Sequence, residues 1–150
     1  MVFTYRSIVA APAAKVFQWH ERPEAVLDLL PSRRLIRIED QMGGIRNDGH
    51  VTLAFGVGPF RARWKARPFG YIRNEQFCDE QVSGPFAVWR HTHRVEALGA
   101  NETAYQDRVE YVLRGGRLFN RAMAPFLHRA LTRVFARRHH VVREAMKDDR

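Results

Sequence analysis

Residues Phe3 to Ala10 alternate, with Phe3, Tyr5, Ser7 and Val9 on one side and Thr4, Arg6 and Ile8 on the other. This is the period of a strand with some apolar character on both faces. The strand ends at Ala11-Pro12, and Pro12 suits the first turn of a helix whose short apolar face is Val16, Phe17 and Trp19. Arg22-Pro23 interrupts it, Pro23 opens a second short helix over Glu24 to Leu30, and Pro31 stops that one. From Arg33 the period falls to two. Gly43-Gly44, Asn47-Asp48-Gly49 and Gly58-Pro59 then divide the chain into short strands. The expected strands are Leu35 to Glu39, His50 to Val57, Phe60 to Arg67, Gln76 to Val82, Ala87 to Glu96 and Thr103 to Leu113. The third sets Phe60, Ala62, Trp64 and Ala66 against Arg61, Arg63, Lys65 and Arg67, one face for the core and one for water. Short connections make these strands consecutive antiparallel neighbours.

The last third changes period again. Phe119, Met123, Phe126, Leu127, Ala130, Leu131, Val134, Phe135, Val141, Val142 and Ala145 recur at spacings of three and four, which predicts an amphipathic helix to about Lys147. An interior proline costs a helix ~3 kcal/mol, so a separate helical turn is expected near Leu118 to Met123, with Pro125 in the first turn of the main helix. The order strand, two short helices, six strands, long helix predicts an α+β fold. About seven antiparallel strands form a curved sheet around the long C-terminal helix, the one element left to cover the apolar face. A single helix cannot fill such a concavity, so a cavity between helix and sheet is expected.

At 150 residues and 45% hydrophobic, the chain reads as one domain over 1–150, which buries roughly 70% of the surface its unfolded form exposes. No run approaches the ~20 apolar residues of a membrane span, and MVFTYRSIVAAPAAK lacks a basic stretch ahead of an apolar one. The expectation is a cytoplasmic protein. The single cysteine, Cys78, excludes an internal disulfide and a multiple-cysteine zinc site, and its neighbours Asp79 and Glu80 would not activate a thiolate. The net charge of +9 raises the question of nucleic acid. Much of the excess lies at Arg114, Arg117, Arg121, Arg129, Arg133, Arg137, Arg138 and Arg143, spaced as the solvated face of the long helix. No nucleic-acid signature accompanies it, so no specific nucleic-acid partner is expected.

The string Gly84-Pro85-Phe86-Ala87-Val88-Trp89-Arg90-His91-Thr92-His93-Arg94, followed by Asp107-Arg108-Val109-Glu110-Tyr111, carries a resemblance. With the order of elements, it resembles the SRPBCC superfamily, the START-like and birch-pollen-allergen-like helix-grip proteins, over essentially the whole chain. It looks most like a bacterial subgroup found alone or joined to a nucleotide-sugar-epimerase-like domain. The resemblance implies a ligand-binding module and includes polyketide cyclases and aromatases.

His91 and His93 fall on one strand at a spacing of two, so both imidazoles face the same way. Trp89 and Val95 share that parity, whereas Arg90, Thr92, Arg94 and Glu96 take the other, which turns the histidines inward. Tyr105, Asp107, Val109, Tyr111 and Leu113 are inward by the same argument. A hairpin closing through Ala97 to Asn101 would set Trp89 opposite Val109, His91 opposite Asp107 and His93 opposite Tyr105. On the other side, Gln81 would lie beside Trp89 and Asp79 beside His91. The resulting row of Asp79, His91, His93, Tyr105 and Asp107 has three readings. It is a satisfied buried network, the polar end of a ligand pocket, or an acid–base site with a carboxylate-oriented histidine. Imidazoles and a carboxylate on one face can reach one ion, but the signal is weak, and neither a metal site nor a cofactor is expected. His139-His140 are expected on the exposed helix surface, and His20 as a capping, surface or pocket-rim residue.

Phe60, Trp64, Phe77, Trp89, His91, His93, Tyr105, Asp107, Val109 and Tyr111 from the sheet, with Phe126, Leu127, Ala130, Leu131 and Val134 from the helix, are the expected cavity lining. Three tryptophans and ten phenylalanines exceed what a minimal core requires and favour a planar guest. The expected function is binding of a small hydrophobic or aromatic molecule. The alternative is a polyketide cyclase or aromatase-like enzyme with His91 or His93 as general base and Asp107 or Asp79 orienting it. An exposed edge strand would allow a homodimer.

Overall fold

The computed structural model describes residues 1–32, 35–57 and 60–148, and leaves aside the side chains of 57, 60, 61 and 148. Strand β1 (Val2–Val9) leads into helices α1 (Ala13–Glu21) and α2 (Ala25–Leu29). Strands β2 (Ile36–Met42), β3 (His50–Val57), β4 (Phe60–Ile72), β5 (Gln76–Ser83), β6 (Phe86–Gly99) and β7 (Glu102–Leu113) follow, and helix α3 (Gly116–Asp148) ends the chain. The seven strands form one antiparallel sheet in the order β1-β7-β6-β5-β4-β3-β2. β1 pairs directly with β7, so the first and last strands are neighbours.

The register breaks at Ile38/Asp40, Lys65/Ala66, Phe69/Ile72, Phe86/Val88 and Ala97/Gly99. Such irregularities bend a strand and raise its local twist, which curves the sheet. In the second β4 break Gly70 has φ 60°, and a Cβ there would stand 3.3 Å from the Cys78 sulfur, so both backbone and space favour glycine. Between β7 and α3, Gly115 (φ 120°) and Gly116 (φ 83°) reverse the chain. The Asn120 amide closes the corner by accepting from Leu113 N–H and donating to Leu113 C=O, both at 2.7 Å.

Helix α3 is continuous through Pro125 instead of starting there. Arg121 and Pro125 are both exposed, so the carbonyl that proline leaves without an N–H partner can turn to water, and the helix survives. The helix packs chiefly on β1 and β7. The concave face over the remaining strands is therefore left for α1, α2 and a cavity. The core divides in two. One cluster joins Val16, Phe17, Phe77, Val95, Tyr105 and Val142, and the other joins Phe3, Trp89, Val109, Tyr111, Leu131 and Phe135. Among the described residues no helix is long and apolar enough to cross a membrane.

Candidate functional site

A buried polar layer lies between the two apolar clusters, built from one or two residues of each adjoining element. Along β6 the order is Trp89, His91, His93, Val95, so the histidines fall where one cluster ends and the other begins. Asp107 does the same on β7, Ser7 on β1 and His139 on α3. His91, His93, His139 and Asp107 are all buried, and Asp107 is wholly so. Its carboxylate gathers the layer: Oδ1 lies 2.9 Å from His91 Nε2 and 2.7 Å from His93 Nδ1, and Oδ2 lies 3.0 Å from His139 Nε2. His139 Nδ1 in turn meets Ser7 Oγ at 2.7 Å. On the cavity side Asp79 Oδ2 stands 3.2 Å from His91 Nδ1 and 3.5 Å from His93 Nε2.

The proton positions follow from what each partner can do. An ionised carboxylate only accepts, so the three nitrogens facing Asp107 carry protons. The Val16 carbonyl accepts from His20 Nδ1 at 2.8 Å, so His20 Nε2 accepts from the Tyr105 hydroxyl at 3.0 Å. Burial, then the charge of His93, lower the His20 pKa to about 3 and keep that ring neutral. Burial would raise Asp107, but the charges of His93 and His91 and the His139 hydrogen bond outweigh it and hold the carboxyl well below its ordinary value. Asp79 is likewise held low, with burial opposed by the charge and hydrogen bonds of His91 and the bond from His93. For His91 burial acts to lower the pKa, and the two carboxylates more than offset it, so the pKa is raised. Burial and the nearby Asp107 charge push Tyr105 well above its ordinary value.

The β6–β7 register differs from expectation by two residues. Trp89 pairs with Tyr111, His91 with Val109, His93 with Asp107 and Val95 with Tyr105. The hairpin turns on Ala100-Asn101 alone, and the break at Ala97/Gly99 absorbs the difference. A slip of two preserves the face of every side chain, so inward residues stay inward while their partners change. Asp79 does pair with His91. Gln81 uses its amide on the Phe86 backbone, accepting at 3.3 Å and donating at 2.8 Å.

Beside the layer lies a cavity of about 430 Å³, within the range of roughly 300–1,000 Å³ typical of small-molecule sites. Trp64, Phe77, Trp89, His91, His93, Leu127, Ala130, Leu131 and Val134 of the expected lining are in its wall, and so is Asp79. Tyr105, Asp107, Val109 and Tyr111 are not in the wall; fully buried, they form the layer behind it. Phe126 is 68% exposed, in a stretch of α3 whose residues 117–126 are largely exposed. The Phe60 side chain lies outside the described residues. Phe77 stacks on His93 at 4.1 Å with an interplanar angle of 13°, and Trp64 meets Trp89 edge-on at 4.9 Å. Trp64 Nε1 and Arg138 Nε are buried with no hydrogen-bond partner among the described residues.

No protein-family model matches the sequence, and no curated protein does. Solved structures match over nearly full length. The Zhui aromatase/cyclase from Streptomyces sp. R1128 aligns with a TM-score of 0.76 at 18% identity, covering 100% of this chain and 96% of that one. Norcoclaurine synthase from Thalictrum flavum, in complex with dopamine and hydroxybenzaldehyde, gives 0.76 at 15%, with 100% and 88% covered. A START superfamily protein from Mycobacterium smegmatis gives 0.70 at 15%, covering 99% of both chains. The chain has the START-like helix-grip fold.

On that helix-grip frame, three residues matter more than their sequence context suggested. His139 is not on the exposed surface but in the polar layer; it follows Phe135 by four and precedes Val142 by three, which places it on the buried stripe. His140 is the exposed one of the pair. His20 is buried at the cavity wall, four residues after Val16 on the inner face of α1. Arg138 leaves the solvated arginine face to join the wall, its guanidinium 5.2 Å from the Phe135 ring centre. Cys78 is a buried thiol whose pKa is raised by burial, without nucleophilic character.

Proposed function

We propose that residues 1–150 act as one domain that binds a small hydrophobic or aromatic molecule in this cavity, with a polar group of the guest at the Asp79, His91 and His93 corner. The observation behind this reading is how polarity is distributed in the wall. Leucine, valine, alanine and aromatic side chains make most of it, and Asp79, His91 and His93 converge at one place in it, apart from other polar wall residues such as Arg22, Gln41, His50 and Arg67. An apolar guest gains about 25 cal/mol for each Å² it removes from water, while convergent polar groups fix its orientation. Norcoclaurine synthase, of the same fold, was solved with two aromatic molecules.

A second reading, catalysis of the cyclase or aromatase type, draws on the orientation of His91. Asp107 holds one nitrogen while the other faces the cavity beside Asp79. The raised pKa makes His91 better suited to donate a proton than to remove one at neutral pH, so in this reading it is the acid.

The experiment is mass spectrometry of the protein released from gentle purification, followed by titration with 1-anilinonaphthalene-8-sulfonate, an aromatic probe. Leu131→Trp, which fills the wall from α3, should abolish probe enhancement while the protein stays folded. Equal binding by the variant and the parent would overturn the reading.

A further inference from the structure

We infer that Asp79, His91 and His93 form a site for one divalent transition-metal ion, whose remaining coordination positions open into the cavity. The inference rests on the ligand-binding reading only for what fills those positions. Its own argument begins with protons. Because His91 Nε2 donates to Asp107 and His93 Nδ1 lies 2.7 Å from the same carboxylate, an ion that displaces any second ring proton would meet His91 Nδ1 and His93 Nε2 as lone pairs. Those two nitrogens lie 3.2 and 3.5 Å from Asp79 Oδ2. Three electron-rich atoms converge there, and positive charge must sit among them. A proton serves one pair of these atoms at a time, whereas a metal ion serves all three.

The distances suit an ion. Ligands about 2.1 Å from a tetrahedral metal stand about 3.4 Å apart, and the two separations from Asp79 bracket that value. All three ligand atoms lie within 4.8 Å of one another, so closing the site needs only small side-chain rotations. Two imidazoles and one carboxylate suit zinc, cobalt(II), iron(II) or nickel, in preference to magnesium or calcium, which take all-oxygen shells.

The support behind the ligands is the stronger argument. Metal-bound histidines commonly donate their second N–H to a carboxylate, which fixes the tautomer and raises ring basicity. Here one buried carboxylate, Asp107, accepts from His91 and lies 2.7 Å from His93 Nδ1, and is itself held by His139, which is held by Ser7. Two further histidine–carboxylate pairs, His50 with Asp40 and His140 with Glu144, are exposed at the acid. Three ligands from one wall leave the far side of an ion facing the cavity, where a phenolate, enolate or carboxylate oxygen of a guest would complete it.

The test uses the full chain after chelator treatment, with zinc(II) and cobalt(II) as probes and no organic guest. One equivalent should bind, cobalt should give visible bands of a low-coordinate site, and nitrogen NMR of the imidazoles should shift His91 Nδ1 and His93 Nε2. Asp79→Asn should weaken zinc binding at least ~100-fold and Asp107→Asn about 10–100-fold, while His140→Ala changes nothing. Equal zinc affinity in the parent and Asp79→Asn, or shifts confined to His50, His128 or His140, overturns the inference. The cobalt and NMR measurements need no variant, so misfolding of one cannot rescue the idea. Naphthalene-probe binding without zinc binding would sink the metal and leave the guest; zinc binding without any probe binding would do the opposite.

Discussion

His139 of α3 holds Asp107 of β7 at 3.0 Å, and neither side chain reaches solvent. This contact pins the long helix to the sheet at the level of the polar layer. Asp107 also orients His91 and His93, so the helix position and the cavity corner share one carboxylate. Removing it leaves three buried donors without their acceptor.

Asp107→Ala is therefore expected to cost about 3–5 kcal/mol, the usual penalty for breaking a buried charged cluster from one side. His139→Phe keeps the volume beside Tyr5 and Tyr105 and should cost only about 1–3 kcal/mol, for the lost bonds to Ser7 and Asp107. Urea unfolding of the two variants measures both. A smaller loss for Asp107→Ala than for His139→Phe would contradict the central place given to the carboxylate.

The two buried tyrosines of β7 should respond oppositely to loss of the hydroxyl. Tyr105 OH meets His20 at 3.0 Å and His93 at 3.2 Å, whereas Tyr111 OH is buried with no partner among the described residues. Tyr105→Phe should destabilise by about 1–2 kcal/mol, while Tyr111→Phe should be neutral or stabilise by up to about 1 kcal/mol. Thermal unfolding of the pair decides it.

Acid should weaken the metal-free protein in two stages. His20 has a folded pKa of about 3 against an ordinary 6.5, so the unfolded chain binds the extra proton across that interval and stability falls as pH drops through it. Asp107 and Asp79 are held low, so their contribution is present above the ordinary carboxylate range and is lost as pH falls below it. His91 runs the other way: its contribution is complete below its ordinary 6.5 and is lost as pH rises through its raised value. His20→Gln should flatten the fall in urea midpoint between about pH 6.5 and pH 4. An unchanged slope in that variant would assign the loss elsewhere.

Pro125 should weaken only the projecting end of α3. Pro125→Ala restores the N–H to the Arg121 carbonyl and removes a helix penalty of up to ~3 kcal/mol. Because residues 117–126 are largely exposed, the gain should appear as slower amide exchange in that segment, with little change in global unfolding. A large rise in global stability would mean that the segment unfolds together with the core.

Much of the molecule was legible along the chain because it is encoded in period. Alternation on β4, β6 and β7 separated inward from outward residues, and the three-and-four spacing located α3. The inward direction of His91, His93 and Asp107 and the pairing of Asp79 with His91 needed only strand parity and a short turn. His139 and His20 were also within reach, since both complete a buried helical stripe, but their polar character pointed to the surface. The two-residue shift in the β6–β7 hairpin left no comparable trace, because both registers satisfy the same faces.

What the sequence by itself determined is the order of elements, the inward or outward face of the side chains on β6 and β7 and the residues able to form a polar corner. Where α3 lies across the sheet was decided only in three dimensions. By packing on β1 and β7 it buries Asp107, Val109 and Tyr111 behind the wall, leaves Phe126 in solvent, brings Arg138 to the cavity and carries His139 to Asp107. Local periodicity records how each element divides its own faces, whereas the space left between elements depends on how all of them settle together.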